Sequence, residues 1–194
     1  MASVSATCVG KLRRFWVGRT LAWLKREERE KENRADLLLR ALDLKPGLVV
    51  ADIGAGTGFL SRRIARAVVP SGTVFAVDVH PETLVLLRSQ GGKTGRSIQR
   101  DHPYLASEAD VTLPPSPVDL ATTVDVDHEP ADPNAVLSSL GKALKPGGQV
   151  VFVEYRAGDG SMSIKSTHKM SERTALTWRS AVDTLPRQRV FILK

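Results

Sequence analysis

Val49-Val50-Ala51-Asp52-Ile53-Gly54-Ala55-Gly56-Thr57-Gly58-Phe59-Leu60 is the stretch that decides how this chain folds. Its β-branched apolar opening suits a strand buried on both faces. Gly54, Gly56 and Gly58 then allow a tight turn and a close approach of backbone to a ligand. A helix is expected to open near Phe59, with its free N–H groups toward the same crevice. This is a nucleotide-type site at the carboxyl end of a parallel strand. The dinucleotide fingerprint wants glycines at its first, third and sixth positions. Counted from Gly54, the sixth position here is Phe59, and a glycine falls at the fifth, Gly58. Asp52 stands just before the turn, where its carboxylate repels a pyrophosphate and suits a ligand with a cationic amino-acid end.

S-adenosylmethionine, with an ammonium, a sulfonium and no phosphate, meets that description. The string Asp52-Ile53-Gly54-Ala55-Gly56-Thr57-Gly58 resembles the first motif of the class I S-adenosylmethionine-dependent methyltransferases almost letter for letter. The resemblance runs from about Trp23 to Phe152, is weaker beyond, and is strongest to small bacterial methyltransferase-domain proteins. It implies a Rossmann-like doubly wound α/β sheet of about seven mostly parallel strands with helices on both faces. It also implies that the loop of Gly54, Ala55, Gly56 and Gly58 wraps the amino-acid end of the cofactor, with Asp52 at the acidic position.

The surrounding pattern agrees with alternating strands and helices. A helix runs to about Leu42, with Leu37, Leu38, Leu39 and Leu42 returning to the core. Leu48 to Ile53 forms the first strand, Phe59 to Val69 a helix, and Thr73 to Val77 the second strand, ending at Asp78. Pro81 sits at the start of the next helix, which runs to about Ser89. Ser97 to Tyr104 makes a poor third strand, because Pro103 fits only an edge or a strand end. Val118 to Val124 is the fourth strand, and Pro133 opens a helix through Leu144. Lys145-Pro146-Gly147-Gly148 stops that helix, and Gln149 to Glu154 is the fifth strand. The turn Leu44-Lys45-Pro46-Gly47 recurs as Leu144-Lys145-Pro146-Gly147, one local solution used twice.

Asp78 ends the second strand about twenty residues beyond the glycine turn, where Rossmann-like sites place an acid on ribose hydroxyls. Its carboxylate has the capacity to accept from both, and an Asp there also suits a helix N-cap ahead of Pro81. The family resemblance gives Asp78 the ribose role, with Val79 beside it. In the family an acidic or polar residue after the third strand binds the adenine amino group. Ser107 to Pro114 resembles that region, and either Glu108 or Asp110 would serve.

The fourth strand leads into Val124-Asp125-Val126-Asp127-His128-Glu129-Pro130. Functional groups gather at such strand ends, which places Asp125 at the cofactor edge. His128 beside Glu129 suggests a general base with an orienting acid. The resembling proteins often carry a His-Glu pair here between aromatics; this chain has Asp127 and Pro130 instead. Asp125, Asp127, His128 and Glu129 also carry metal-ligand chemistry, but adjacent residues rarely converge on one ion, and no metal is expected.

At 194 residues, 42% hydrophobic and 25% charged, the chain fits one α/β domain. The expected division is an N-terminal basic amphipathic cap over 1–35 and a methyltransferase domain over 36–194. The one cysteine, Cys8, excludes a disulfide framework and a cysteine metal site, and argues against base methylation through a thiolate adduct. The net charge of +7 concentrates in the first twenty residues and the tail, without the aromatic–basic interleaving of a single-strand groove. No Asn-Pro-Pro-Tyr or Asp-Pro-Pro-Tyr stretch follows the fourth strand. These features favour a small-molecule acceptor over nucleic acid. Methyltransferases acting on protein or RNA, and a catalytically impaired S-adenosylmethionine-binding protein, are the alternatives. A nicotinamide-dependent oxidoreductase is disfavoured by Phe59. No apolar run reaches membrane-spanning length; a cytoplasmic location is expected, with the basic N-terminal segment leaving membrane-surface or organelle targeting open. Oligomeric state is not legible.

Overall fold

The computed structural model describes residues 34–91, 101–106, 113, 117–125, 133–156 and 176–194. In chain order these form α1 (Ala35–Ala41), β1 (Val49–Ile53), α2 (Ser61–Val68), β2 (Thr73–Asp78), α3 (Pro81–Gly91), β3 (Asp101–Leu105) and β4 (Val118–Val124). There follow α4 (Pro133–Ala143), β5 (Leu144–Tyr155), β6 (Trp178–Val182) and β7 (Gln188–Leu193). The seven strands make one sheet in the order β3-β2-β1-β4-β5-β7-β6. β1 to β5 run parallel, and β7 is antiparallel to both β5 and β6. Strand order reverses between β1 and β4, so their carboxyl ends open a crevice for a ligand. The doubly wound, mostly parallel sheet expected from the sequence is the one observed.

Alternation along the strands builds two cores. Val50, Val74, Leu120, Val151, Val153 and Val190 face one side, against Leu38 and Leu42 of α1 and Ile64, Ala65 and Val68 of α2. Ala51, Phe75, Val77, Ala121, Phe152 and Phe191 face the other, against Val136, Leu137 and Leu140 of α4. Strands buried on both faces need apolar residues at consecutive positions, and β1 and β4 supply them. Both faces carry helices, as the fold class requires.

Three boundaries differ from the sequence reading. Regular helix α2 begins at Ser61, two residues after Phe59, because the glycine turn is still closing: Gly58 N–H donates to Ala55 O at 2.9 Å. β3 forms despite Pro103, which stands in register with Ala76 of β2. It is an edge strand, and alternate N–H groups of an edge point away from the sheet, so a proline there need remove no ladder bond. Tyr104 fastens β3 by packing edge-on against Phe75 at 5.6 Å. β5 begins at Leu144, not Gln149: Val118 pairs with Leu144 and Leu120 with Gln149, so the Lys-Pro-Gly-Gly segment bulges opposite Asp119. Asp119 Oδ2 fixes the bulge by accepting from Lys145 Nζ at 2.7 Å, and it accepts from Val49 N–H at 2.8 Å.

Both Leu-Lys-Pro-Gly turns carry a left-handed glycine, Gly47 at φ +92° and Gly147 at φ +82°. The proposed cap segment lies outside the described residues except at its end, where Ala35 opens α1 and is buried. In the final hairpin Val190, Phe191 and Leu193 of β7 are fully buried, because β7 lies inside the sheet; of the two hairpin strands only β6 is an edge. No helix among the described residues is long and apolar enough to cross a membrane.

Candidate cofactor site

The glycine turn leaves β1 with three left-handed residues, Gly54 at φ +74°, Gly56 at φ +55° and Gly58 at φ +78°. Only glycine takes these without a Cβ penalty. At Gly58 a Cβ would also lie 2.9 Å from Arg62 Nη1 and 3.0 Å from Leu87 Cδ1. The turn is held from within. Gly54 and Ala55 N–H both donate to Val77 O at the end of β2, at 2.8 and 3.0 Å. Gly56 N–H donates to Asp78 Oδ2 at 2.7 Å. Arg62 Nη1 donates to Thr57 O at 2.6 Å, and Arg63 donates to Phe59 O at 2.8 Å with its guanidinium over the Phe59 ring. The amides of Gly54, Ala55, Gly56 and Gly58 are therefore turned inward, whereas a phosphate-binding loop presents its amides to the anion. Within the first turn of α2, Arg62 N–H donates to Gly58 O, and Arg63 and Ile64 N–H donate to Leu60 O.

Two carboxylates stand at adjacent strand ends. Asp52, 2% exposed, accepts from Ser61 Oγ at 2.5 Å, which joins β1 to the first turn of α2. Asp78, 7% exposed, accepts from Gly56 N–H on Oδ2 and from His80 N–H on Oδ1 at 2.8 Å. His80 Nδ1 lies 3.2 Å from the same Oδ1. A carboxylate has about four acceptor positions, so capacity for ribose hydroxyls remains. Val79 follows Asp78 and is half-buried.

A small open cleft of about 40 Å³ lies at the strand-order reversal. Asp52, Gly54, Ala55, Phe59 and Leu60 line one side, Ala35 and Leu38 of α1 cover it, and Val124 and Gln188 close the far side. Asp52 and Gln188 are the polar side chains of an otherwise apolar set of lining residues. Asp125, just past β4, has φ +56°, and its N–H donates to Val153 O at 2.9 Å. Gln188 Nε2 contacts both of its carboxylate oxygens, at 2.9 and 2.8 Å. Beyond Gln188, Arg156 Nε donates to Gln188 O at 3.0 Å, and its Nη2 donates to the carbonyls of Asp183 and Leu185. Hydrogen bonding from Arg189 holds the Asp183 carboxyl below the usual carboxylate range.

The structure thus brings Asp52, Gly54, Ala55 and the end of β4 around one cleft. Asp78, bonded to Gly56 N–H, and Gly58 are not among the residues lining that cleft. Glu108, Asp110, His128 and Glu129 lie outside the described residues. Sequence reasoning missed Ser61, Arg62, Arg63 and Gln188. For the arginines a weak signal existed, since a basic residue four or five positions after a turn carbonyl on a helix can fold back to it. For Gln188 none did.

The sequence model of the methyltransferase domain family matches residues 51–150. A ubiquinone biosynthesis O-methyltransferase of Idiomarina loihiensis is 32% identical over 106 residues, which are 55% of this chain and 42% of that protein. A ubiquinone/menaquinone biosynthesis C-methyltransferase of Burkholderia cenocepacia is 29% identical over 118 residues, 58% of this chain and 45% of that protein. The chain spans less than half the length of these curated relatives. Among solved structures, a SAM dependent methyltransferase from Aquifex aeolicus superposes with a TM-score of 0.81 at 20% identity, covering 90% of this chain and 96% of that one.

Proposed function

The chain belongs to the class I methyltransferase domain family, whose cofactor is S-adenosylmethionine, and on that premise we propose that it transfers a methyl group to a small-molecule acceptor by in-line displacement. The observation that carries this reading is the inward turn of the loop amides. Gly56 N–H is satisfied by Asp78, and Gly54 and Ala55 by Val77 O. The loop offers backbone contact and carboxylates where a dinucleotide site offers free amides. Phosphate-free ligands with a cationic end fit it; pyrophosphates do not.

S-adenosylmethionine supplies a methyl carbon already activated by its sulfonium. Asp52, buried on the cleft wall, balances the charge of the ammonium end. Asp78 accepts from ribose hydroxyls while bracing Gly56. Glu108 or Asp110 binds the adenine amino group. Because the methyl is pre-activated, alignment and exclusion of water supply much of the rate, and a base matters only where the acceptor must lose a proton. His128 takes that proton, oriented by Glu129. A cytoplasmic setting belongs to the same reading, supported by a single cysteine in the whole chain.

Calorimetric titration with S-adenosylmethionine, S-adenosylhomocysteine and a nicotinamide dinucleotide tests this, with Asp78→Ala alongside. Binding of the first two ligands, lost in the variant, is the expected result. A folded protein that binds neither, or that prefers the dinucleotide, overturns the reading.

A further inference from the structure

We propose that Gln188 is a positioning residue that sets the end of β4 as the methionine-end wall of the cofactor site. Asp125 is the first residue past β4, in the left-handed region at φ +56°. Glycine would take that conformation with no Cβ penalty, and a non-glycine residue there is strained. The chain carries aspartate instead, and its carboxylate is the group that Gln188 grips with Nε2 on both oxygens. Backbone strain of this kind persists where surrounding structure fixes it.

Gln188 is built to do this. It is 1% exposed and opens β7, which is separated from β4 by β5. Its side chain therefore reaches across the end of β5 to a residue 63 positions away in sequence. Its main chain is fixed as well. Arg156 Nε donates to Gln188 O, Arg156 N–H donates to Arg187 O at 3.0 Å, and Arg156 Nη2 reaches the preceding turn. A buried amide held at both ends has one position, and it transmits that position to Asp125. Gln188 also lines the cleft itself, opposite Asp52 and beside Val124. β1 and β4 are neighbours, with Asp52 in register with Thr122. The wall that Gln188 sets therefore lies at the Asp52 end of the cleft. Asp78 is one strand further off, at the end of β2.

The proposal rests on reading the cleft as an S-adenosylmethionine site, and the test separates the two. The full chain and its Gln188→Glu, Asp125→Asn and Gln188→Glu/Asp125→Asn variants are titrated with S-adenosylhomocysteine and with 5′-methylthioadenosine, which lacks the amino-acid end. Gln188→Glu sets two carboxylates face to face, so S-adenosylhomocysteine affinity falls about tenfold or more, while methylthioadenosine affinity stays within about twofold. Adding Asp125→Asn restores a donor–acceptor pair of reversed polarity and returns S-adenosylhomocysteine affinity to within about threefold of the parent. A purely architectural role weakens both ligands alike, or leaves the double variant no better than the single; either result overturns the proposal. Should Gln188→Glu fail to fold, Asp125→Ala cuts the tie from its half-exposed side, with the same ligand-selective loss expected and equal loss for both ligands overturning it. Parent protein that binds neither ligand instead overturns the reading of the cleft.

Discussion

The two walls of the cleft are made in opposite ways. The near wall is almost continuous sequence: Asp52 reaches Ser61 nine positions on, and the glycines between them turn inward on β2. Its distant ties run to the end of β2, with Asp78 22 positions from Gly56. The far wall is assembled from remote pieces, Asp125 with Gln188 across 63 positions and Arg156 with the β6–β7 turn across 27 to 32. The near wall uses backbone amides against fixed carbonyls, and tolerates little change. The far wall uses side chains, which can be re-paired. One wall is thus set by short-range backbone bonding and the other by long-range side-chain bonding, so a substitution in the far wall can be answered by a second one across it.

The sharpest way to break this comparison is at Asp52. Asn in its place still accepts from Ser61 Oγ, so Asp52→Asn keeps the joint between β1 and α2 and removes only the charge. Unfolding in urea is expected within about 1 kcal/mol of the parent, while S-adenosylmethionine affinity, read by calorimetry, falls about thirtyfold or more. Equal affinity would mean that Asp52 serves the fold alone, and the near wall would lose its ligand.

Gly58 sharpens the contrast between rigid and tolerant backbone. Gly58→Ala meets a left-handed φ and two neighbours at 2.9 and 3.0 Å. It is expected to destabilise by about 2–3 kcal/mol, combining strain and overpacking. Gly147→Ala has the same kind of φ, +82°, but nothing within 4 Å of the added Cβ. Its cost is the strain alone, about 1 kcal/mol. Denaturant melts of the two variants check the difference; equal losses would show that the glycine turn yields more than its packing suggests.

What was legible in the sequence follows the same division. β1, the glycine turn and β2 could be read because strand burial and turn chemistry act over a few residues. So could the twin Leu-Lys-Pro-Gly turns, whose glycines both prove left-handed. β3 looked doubtful because Pro103 was weighed by local preference, and only the sheet order makes it an edge. The start of β5 was placed late because the bulge at Lys145–Gly148 depends on Asp119 of another strand. Gln188 carried no signal: a polar residue opening an apolar strand reads as a turn residue until its partner is known. Ser61 was hidden for a similar reason, since no spacing rule links a strand-end acid to a hydroxyl beyond a glycine turn.

The smallest expected effect lies at the outer brace of the far wall. Asp183 accepts from Arg189 Nε and Nη2 at 2.6 and 2.8 Å, with Arg156 Nε at 3.6 Å. Hydrogen bonding from Arg189 lowers the Asp183 carboxyl pKa, partly opposed by burial and assisted by the charges of Arg189 and Arg156. A carboxylate whose folded pKa lies below its unfolded value, about 3.9, contributes stability that is complete above that value. The contribution is lost as pH falls through the folded pKa. Asp183 is 48% exposed, so solvent screening keeps the contribution under about 1 kcal/mol. Asp183→Asn should therefore melt slightly below the parent near pH 7, with the gap closing in acid as the parent's own carboxyl takes up its proton. Added salt should narrow the gap at neutral pH as well. A gap that persists undiminished in acid would show that the β6–β7 turn is held by the shape of residue 183 and not by its charge. The Arg156 hydrogen bonds to the turn carbonyls would then carry the far wall without electrostatic help.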